Sequence, residues 1–328
     1  MADSIPLLTL DRFPEWGRCL RRPFQTAYRA MYSSVFGGIV TEPELMLVPV
    51  DDHMVHRGDG VFEAFKCVAG AIYNLGAHLD RLEHSAAELH FRWPCTRAEL
   101  GDRIAATIRA GAERDCLVRV LLSRGSGSFG VNPYDCPSAQ LYIVVTRLKP
   151  PFMKVHPEGA RLKTSVVPAK PVGQASIKNC NYLPNVLMAK EAVDAGVDFV
   201  VSLDEGGNVA EGATENVGMI TAGHELAFPA LGGILKGTTM IRTAELAGAL
   251  VAEGFLSGVS FRPIPQAELR DAAAVLVVGT TPNLVHVREY DGRVVGDGKP
   301  GERFERLRRL LEDDILHNAG LRTPVFPA

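Results

Sequence analysis

The run KPPFMKVHPEG, residues 149–159, divides the chain into two halves, each mixing short apolar strands with a few helices. Its three prolines cannot sit inside a helix or a central strand, so the run reads as a linker. Before it, VFGGIV and LMLVPV read as short strands split by the polar TEPE turn, and GVFEAFKCV and AIYNL flank the turn Ala69-Gly70 as a hairpin. His78, Leu79, Leu82, Ala86 and Leu89 fall at helical spacing, a second helix covers Arg97 to Gly111, and strands LVRVLLSRG and QLYIVVTRL flank the loop SGSFGVNPYDCPSA. After the linker, RLKTSVVPA reads as a strand. Tyr182, Val186, Ala189 and Val193 mark a helix with Pro184 in its first turn and Gly196 at its cap. DFVVSL and NVAEG form one hairpin, ENVGMI and ELAFP another. Helix 238–253 lies between Gly237 and Gly254, AVLVVG is a strand, and a helix covers about Glu302 to His317. This grouping predicts an α/β (α+β) protein with mixed sheets. The expected organisation is an N-terminal extension over 1–30, a smaller unit over 31–149, a linker at 150–157 and a larger unit over 158–328.

Composition narrows the function. Lys and Arg number 35 against 38 Asp and Glu, a net charge of −3, which excludes a nucleic-acid binder relying on bulk positive charge. No apolar run approaches the roughly 18 residues of a membrane span. The start, MADSIPLLTLDRFPEW, does not read as a signal or transit peptide. Six cysteines form no CxxC pair and the histidines no HExxH, so no metal site is expected and the thiols read as reduced, as in the cytosol.

Three features of the second half carry chemistry. Lys178, in SIKNCNYLPN, lies between a strand and the start of a helix, where the helix dipole favours a neutral amine able to attack a carbonyl. Glu211, in NVAEGATEN, sits on a hairpin beside small apolar residues, and a partly buried carboxylate there needs a cationic partner. Gly237-Thr238-Thr239 and Gly279-Thr280-Thr281 each offer free backbone N–H groups and hydroxyls to a phosphate. Taken singly, these are a surface lysine, a strand-end glutamate and ordinary helix caps. Together, an amine for an imine, an acid for a ring nitrogen and a phosphate cradle are what pyridoxal phosphate requires, and Arg81 in HLDRLEHS would add a fixed cation.

At these residues the chain resembles the class IV (fold-type IV) pyridoxal-phosphate enzymes: branched-chain aminotransferases, D-amino acid transaminases and aminodeoxychorismate lyases. The resemblance runs from about Met31 to Gly301 through HRGDGVFEAFK, HLDRLEHSAAEL, IKNCNYLPNVLMAKEA, DEGGNVAEGATENVGMI, GTTMIRTAELA, VGTTPNLVHV and DGRVVGDGKPG. It implies two α/β domains with pyridoxal 5'-phosphate between them, and a homodimer. It also implies Lys178 as the Schiff-base lysine and proton shuttle, Glu211 as partner of the pyridine nitrogen, and Arg81 as a phosphate ligand. Thr238, Thr239, Gly279 and Thr280 would complete the phosphate site, and Tyr182 resembles the tyrosine at the ring oxygen. Arg57, Phe62 and Lys66 fall at the expected substrate pocket, where Arg57 would hold a carboxylate or else form a surface salt bridge. The implied activity is ping-pong transamination between a small amino acid, of branched-chain or D-type, and a 2-keto acid. The loop SGSFGVNP lacks the arginine and histidine of D-amino acid transaminases, and SRGSGSFG resembles the lyase branch. A lyase forming 4-aminobenzoate and pyruvate, and a non-catalytic cofactor-binding protein, are the alternatives.

Overall fold

The computed structural model describes Ile5 and residues 7–326. After a short helix α1 (Phe13–Gly17), strand β1 (Tyr28–Ser33) opens the first sheet, starting inside the stretch taken as an N-terminal extension. It is followed by β2 (Gly38–Val40), α2 (His53–Arg57), β3 (Gly60–Val68), β4 (Ala71–Tyr73), α3 (Leu75–Glu88), α4 (Arg97–Ala110), β5 (Cys116–Ser123) and β6 (Gln140–Arg147). LMLVPV forms no strand. Pro43 opens a one-turn 3₁₀ helix and Pro49 removes a second donor, so no ladder can form there, and Leu47 and Val50 face solvent.

Alternation along β3 and β5 sets the two faces of this sheet. Val61, Phe65 and Cys67 of β3, with Val118, Val120 and Leu122 of β5, pack under Leu79, Leu82 and Ala86 of α3 and Ile104 and Ile108 of α4. Phe62, Ala64, Leu117 and Arg119 point to the opposite face. Ala69 and Gly70 make the β3–β4 turn, both with positive φ.

The linker holds a single helical turn, α5 (Phe152–Val155). Beyond it come β7 (Ala160–Thr164), α6 (Val172–Ala175), α7 (Leu183–Asp194), β8 (Phe199–Leu203), β9 (Val209–Gly212), β10 (Asn216–Ile220), β11 (Glu225–Phe228), α8 (Thr238–Ala252), β12 (Gly258–Phe261), α9 (Gln266–Arg270), β13 (Ala274–Gly279), β14 (Asn283–Tyr290), β15 (Arg293–Val294), α10 (Glu302–His317) and β16 (Arg322–Pro324). The second sheet runs β12-β11-β10-β13-β14-β7-β8-β9, and the pair Glu211–Asn216 joins β9 to β10. Strands β10, β13, β14, β7, β8 and β9 thereby close into a ring. Val201, Val217, Val275, Val277 and Val285 fill it, while the alternate residues Leu276 and Val278 pack under Met240 and Leu250 of α8 and Leu307 and Leu311 of α10. The chain then crosses back. Strand β16 pairs antiparallel with β4, so the first sheet, ordered β16-β4-β3-β5-β6-β1-β2, takes its edge from the last residues of the half beyond the linker. Among the described residues, no helix is long and apolar enough to cross a membrane.

Candidate active site

Lys178 belongs to no helix. Its segment is pinned to the opening of β3: Phe62 N–H donates to the Lys178 carbonyl (2.9 Å), Cys180 N–H to the Gly60 carbonyl (2.8 Å), and Lys178 N–H to Ser85 Oγ (3.1 Å). The glycines of HRGDGVFEA permit this approach. A Cβ on Gly58, whose φ is +66°, would lie 2.5 Å from Asn181 Oδ1, and one on Gly60 would press on Cys180 Sγ at 3.2 Å. The Lys178 side chain therefore points inward. Its Nζ stands 4.6 Å from the Phe62 ring centre and 5.9 Å from that of Tyr182, which meets Phe62 edge-on. Burial, then the Arg81 charge, brings its pKa down to about 8. The neutral amine expected from a helix dipole is thus favoured by desolvation instead.

Glu211, on β9 at the ring closure, accepts from Leu235 N–H (3.0 Å) and lies 3.9 Å from Lys170 Nζ. Burial raises its pKa, and Lys170 opposes that shift. Lys170, unmarked by any sequence signal, also sits 5.0 Å from the Tyr182 ring centre.

Arg81 forks onto the buried carboxylate of Glu63 (Nε–Oε1 2.7 Å, Nη2–Oε2 2.9 Å) and donates to the Lys236 carbonyl (3.0 Å). The other side of Glu63 meets His78 Nδ1 at 2.7 Å, and His78 Nε2 lies 3.2 Å from Thr238 Oγ1. Burial depresses the His78 pKa, so the neutral ring that satisfies both neighbours donates from Nδ1 to Glu63 and accepts the Thr238 hydroxyl proton at Nε2. His78 went unread because it falls at helical spacing, while Glu63 stands on the inward face of β3 between Val61 and Phe65, a break in the apolar alternation that could have marked it.

Thr238 and Thr239 open α8 with no side-chain cap on its first N–H groups. A Cβ on the preceding Gly237 would fall 1.9 Å from Asn216 Oδ1, so only glycine lets the turn close there. Thr280 occupies the tight turn between Gly279 and Asn283, which pair across β13 and β14.

Phe62, Arg81, Lys178, Tyr182, Thr238, Thr239, Gly279 and Thr280 converge on one cavity of about 300 Å³. Glu211 lines a smaller hollow that shares Lys178, Tyr182 and Asn216 with it. Arg119 also lines the cavity and makes no ion pair among the described residues; its place on the pleat, two residues beyond Leu117, could have marked it. Two expected substrate residues lie elsewhere. Arg57 is exposed at the end of α2 and donates to the carbonyls of His56, Phe129 and Gly130. Lys66 is buried along another cavity and donates to Asn283 Oδ1.

The donor set suits pyridoxal 5'-phosphate. A buried amine biased to its neutral form, a buried acid in an adjoining hollow, and an uncapped helix start beside a guanidinium match its aldehyde, ring nitrogen and phosphate. Residues 60–290 match the family described as "Amino-transferase class IV". The chain is 35% identical over 289 residues to the chloroplastic D-amino-acid transaminase of Arabidopsis thaliana, covering 88% of this chain and 77% of that one. It is 27% identical over 274 residues to the branched-chain-amino-acid aminotransferase of Pseudomonas aeruginosa, covering 80% and 85%. Among solved structures it superposes on the T.th. branched-chain amino acid aminotransferase with pyridoxamine 5'-phosphate, at a TM-score of 0.84 and 27% identity over 91% of this chain and 99% of that one. The chain therefore belongs to the class IV amino-transferases, as an enzyme whose cofactor is pyridoxal 5'-phosphate.

Proposed function

We propose that the protein is a homodimeric, cytoplasmic transaminase that moves an amino group between a small amino acid and a 2-keto acid by a ping-pong mechanism. The cofactor would lie between the N-terminal unit around residues 31–149 and the C-terminal unit around 158–328. The observation that carries this reading is the convergence of Lys178 and Arg81 with the Thr238-Thr239 and Thr280 turns on one cavity, with the buried acid Glu211 beside it. When bound, the cofactor supplies an electron sink for a bond broken at the substrate's α-carbon. Lys178 Nζ, largely deprotonated only as pH passes about 8, accepts and returns a proton. Glu211, whose charged form burial disfavours and Lys170 at 3.9 Å favours, would face the ring nitrogen. Arg81, fixed by Glu63, and the first N–H groups of α8 would bind the phosphate. Thr280 would close the phosphate site from the β13–β14 turn, and Tyr182 and Phe62 would wall the ring.

Arg119, which pairs with no carboxylate among the described residues, suits the substrate's own carboxylate. A small amino acid as substrate is in keeping with the relatives named above, a D-amino-acid transaminase and a branched-chain-amino-acid aminotransferase. Arg57 lies outside the Lys178 cavity of its own chain, so a substrate role for it requires the cavity of a second subunit. The exposed apolar residues Val55, Phe129 and Val131 near Arg57, and Leu183, Val186 and Leu187 on α7, are surfaces a homodimer would cover.

One amino acid supplied without an acceptor should convert the yellow enzyme once to its aminated form, with one keto acid released per site, and then stop. Adding a keto acid should restore the colour. Steady pyruvate release from aminodeoxychorismate without an acceptor would instead mark the lyase, and absence of any conversion a binding protein. Arg119→Met should raise KM for the amino acid roughly 10- to 100-fold with kcat changed far less, the loss of one charge-assisted contact. Steady-state kinetics check this, and an unchanged KM would remove Arg119 from the site.

A further inference from the structure

A second cavity, of about 440 Å³, opens where β3, residues 148–154 and α10 meet, and Thr281 lines both it and the cavity of Lys178. Much of its wall is aliphatic, with Val68, Leu148, Pro151 and Ile315 among the lining residues. Its charges are unbalanced. Lys66, only 5% exposed, gives its Nζ to the neutral side-chain oxygen of Asn283. Lys149 and Lys154 stand nearby, and among the described residues none of the three lysines pairs with a carboxylate. Both acids at the wall are engaged elsewhere: Asp115 accepts from Ala69 N–H at 2.7 Å, and Glu312 binds Arg308 at 2.7 Å. A buried ammonium with no carboxylate in contact is unfavourable, and it either releases its proton or gains an anion. Burial moves the Lys66 pKa down to about 7, against the pull of Glu312, as befits an amine with no carboxylate in contact.

We propose that this second cavity binds a small aliphatic carboxylate, with the anionic head on Lys66 and the chain against Val68, Leu148 and Ile315. Such a ligand supplies Lys66 with the contact counter-ion that neither Glu312 nor Asp115 provides, and it covers apolar wall. The volume falls within the usual range of roughly 300–1,000 Å³ for small-molecule sites. The proposal goes beyond the transaminase reading, because it concerns a different cavity and does not depend on turnover.

The test is calorimetric titration of the cofactor-loaded protein with hexanoate, with hexanamide as the uncharged control. A saturable hexanoate site is expected that weakens at least 10-fold in Lys66→Met and survives in Arg119→Met, with no matching hexanamide site. Leu316→Glu, which sets an acid at a rim residue 44% exposed, should weaken it as well and serves if Lys66→Met fails to fold. Absence of hexanoate binding, equal binding of hexanamide, or loss of the site in Arg119→Met would each overturn the proposal. Binding untouched by both Lys66→Met and Leu316→Glu would do the same.

Discussion

Lys178→Ala is expected to leave the protein folded, inactive and without a borohydride-reducible link to pyridoxal phosphate. The side chain is 8% exposed and makes no hydrogen bond through Nζ among the described residues, so its removal leaves no donor or acceptor unpaired. Thermal unfolding should move by only a few degrees. Chemistry loses far more. The covalent link to the cofactor cannot form, and proton transfer by a positioned base alone accounts for roughly 10²- to 10⁴-fold in rate. The measurement is borohydride reduction followed by peptide mapping, alongside single-turnover kinetics. Lys170 is the informative competitor. Its amine is also pushed down in pKa by burial, and it lines the same small hollow as Lys178 and Glu211. A reducible adduct on Lys170 in wild-type protein would reassign the site.

Glu63→Gln should be among the most destabilising single changes in the first sheet. Glu63 is fully buried and holds both Arg81 and His78, so neutralising it strands a nearly buried guanidinium. Breaking one partner of such a pair costs about 3–5 kcal/mol. The sign of the pH dependence follows. Burial alone would raise the Glu63 pKa, but Arg81 and His78 outweigh it and hold it near 2, against an ordinary value of 4.5. The folded pKa is depressed, so this stabilisation is fully present above about pH 4.5 and is lost as pH falls from there towards 2. Urea unfolding at pH 7 should show the loss in Glu63→Gln, and the variant should lose part of the acid dependence between those limits. Phosphate affinity should fall too, because Arg81 is aimed by Glu63. A change below about 1 kcal/mol, the scale of an exposed pair, would mean the cluster is wetter than the structure shows.

Much of the scaffold was legible in local pattern. Helices α4, α8 and α10 fall within a residue or so of where apolar spacing and flanking glycines put them. Ala69-Gly70, Pro184 and Gly196 do at their turns and caps what their backbone restrictions require. The failures are equally physical. Strand pattern names two faces but not what each face meets. Phe62, Ala64 and Lys66 share one face of β3 at steps of about 7 Å, so the first two reach the Lys178 cavity and the third passes it into the next.

Residue type and local dihedral freedom set the chemistry on offer: an amine, an acid, two Gly-Thr turns and the glycines that let the backbone close around them can all be read along the chain. Which charges face one another depends on how the chain packs in three dimensions. The fork of Arg81 onto Glu63, the approach of Lys170 to Glu211, the exposure of Arg119 in the cavity and the return of β16 to the first sheet join residues far apart in the chain. Burial and pairing energies depend on distances in space, and no period along the chain encodes those.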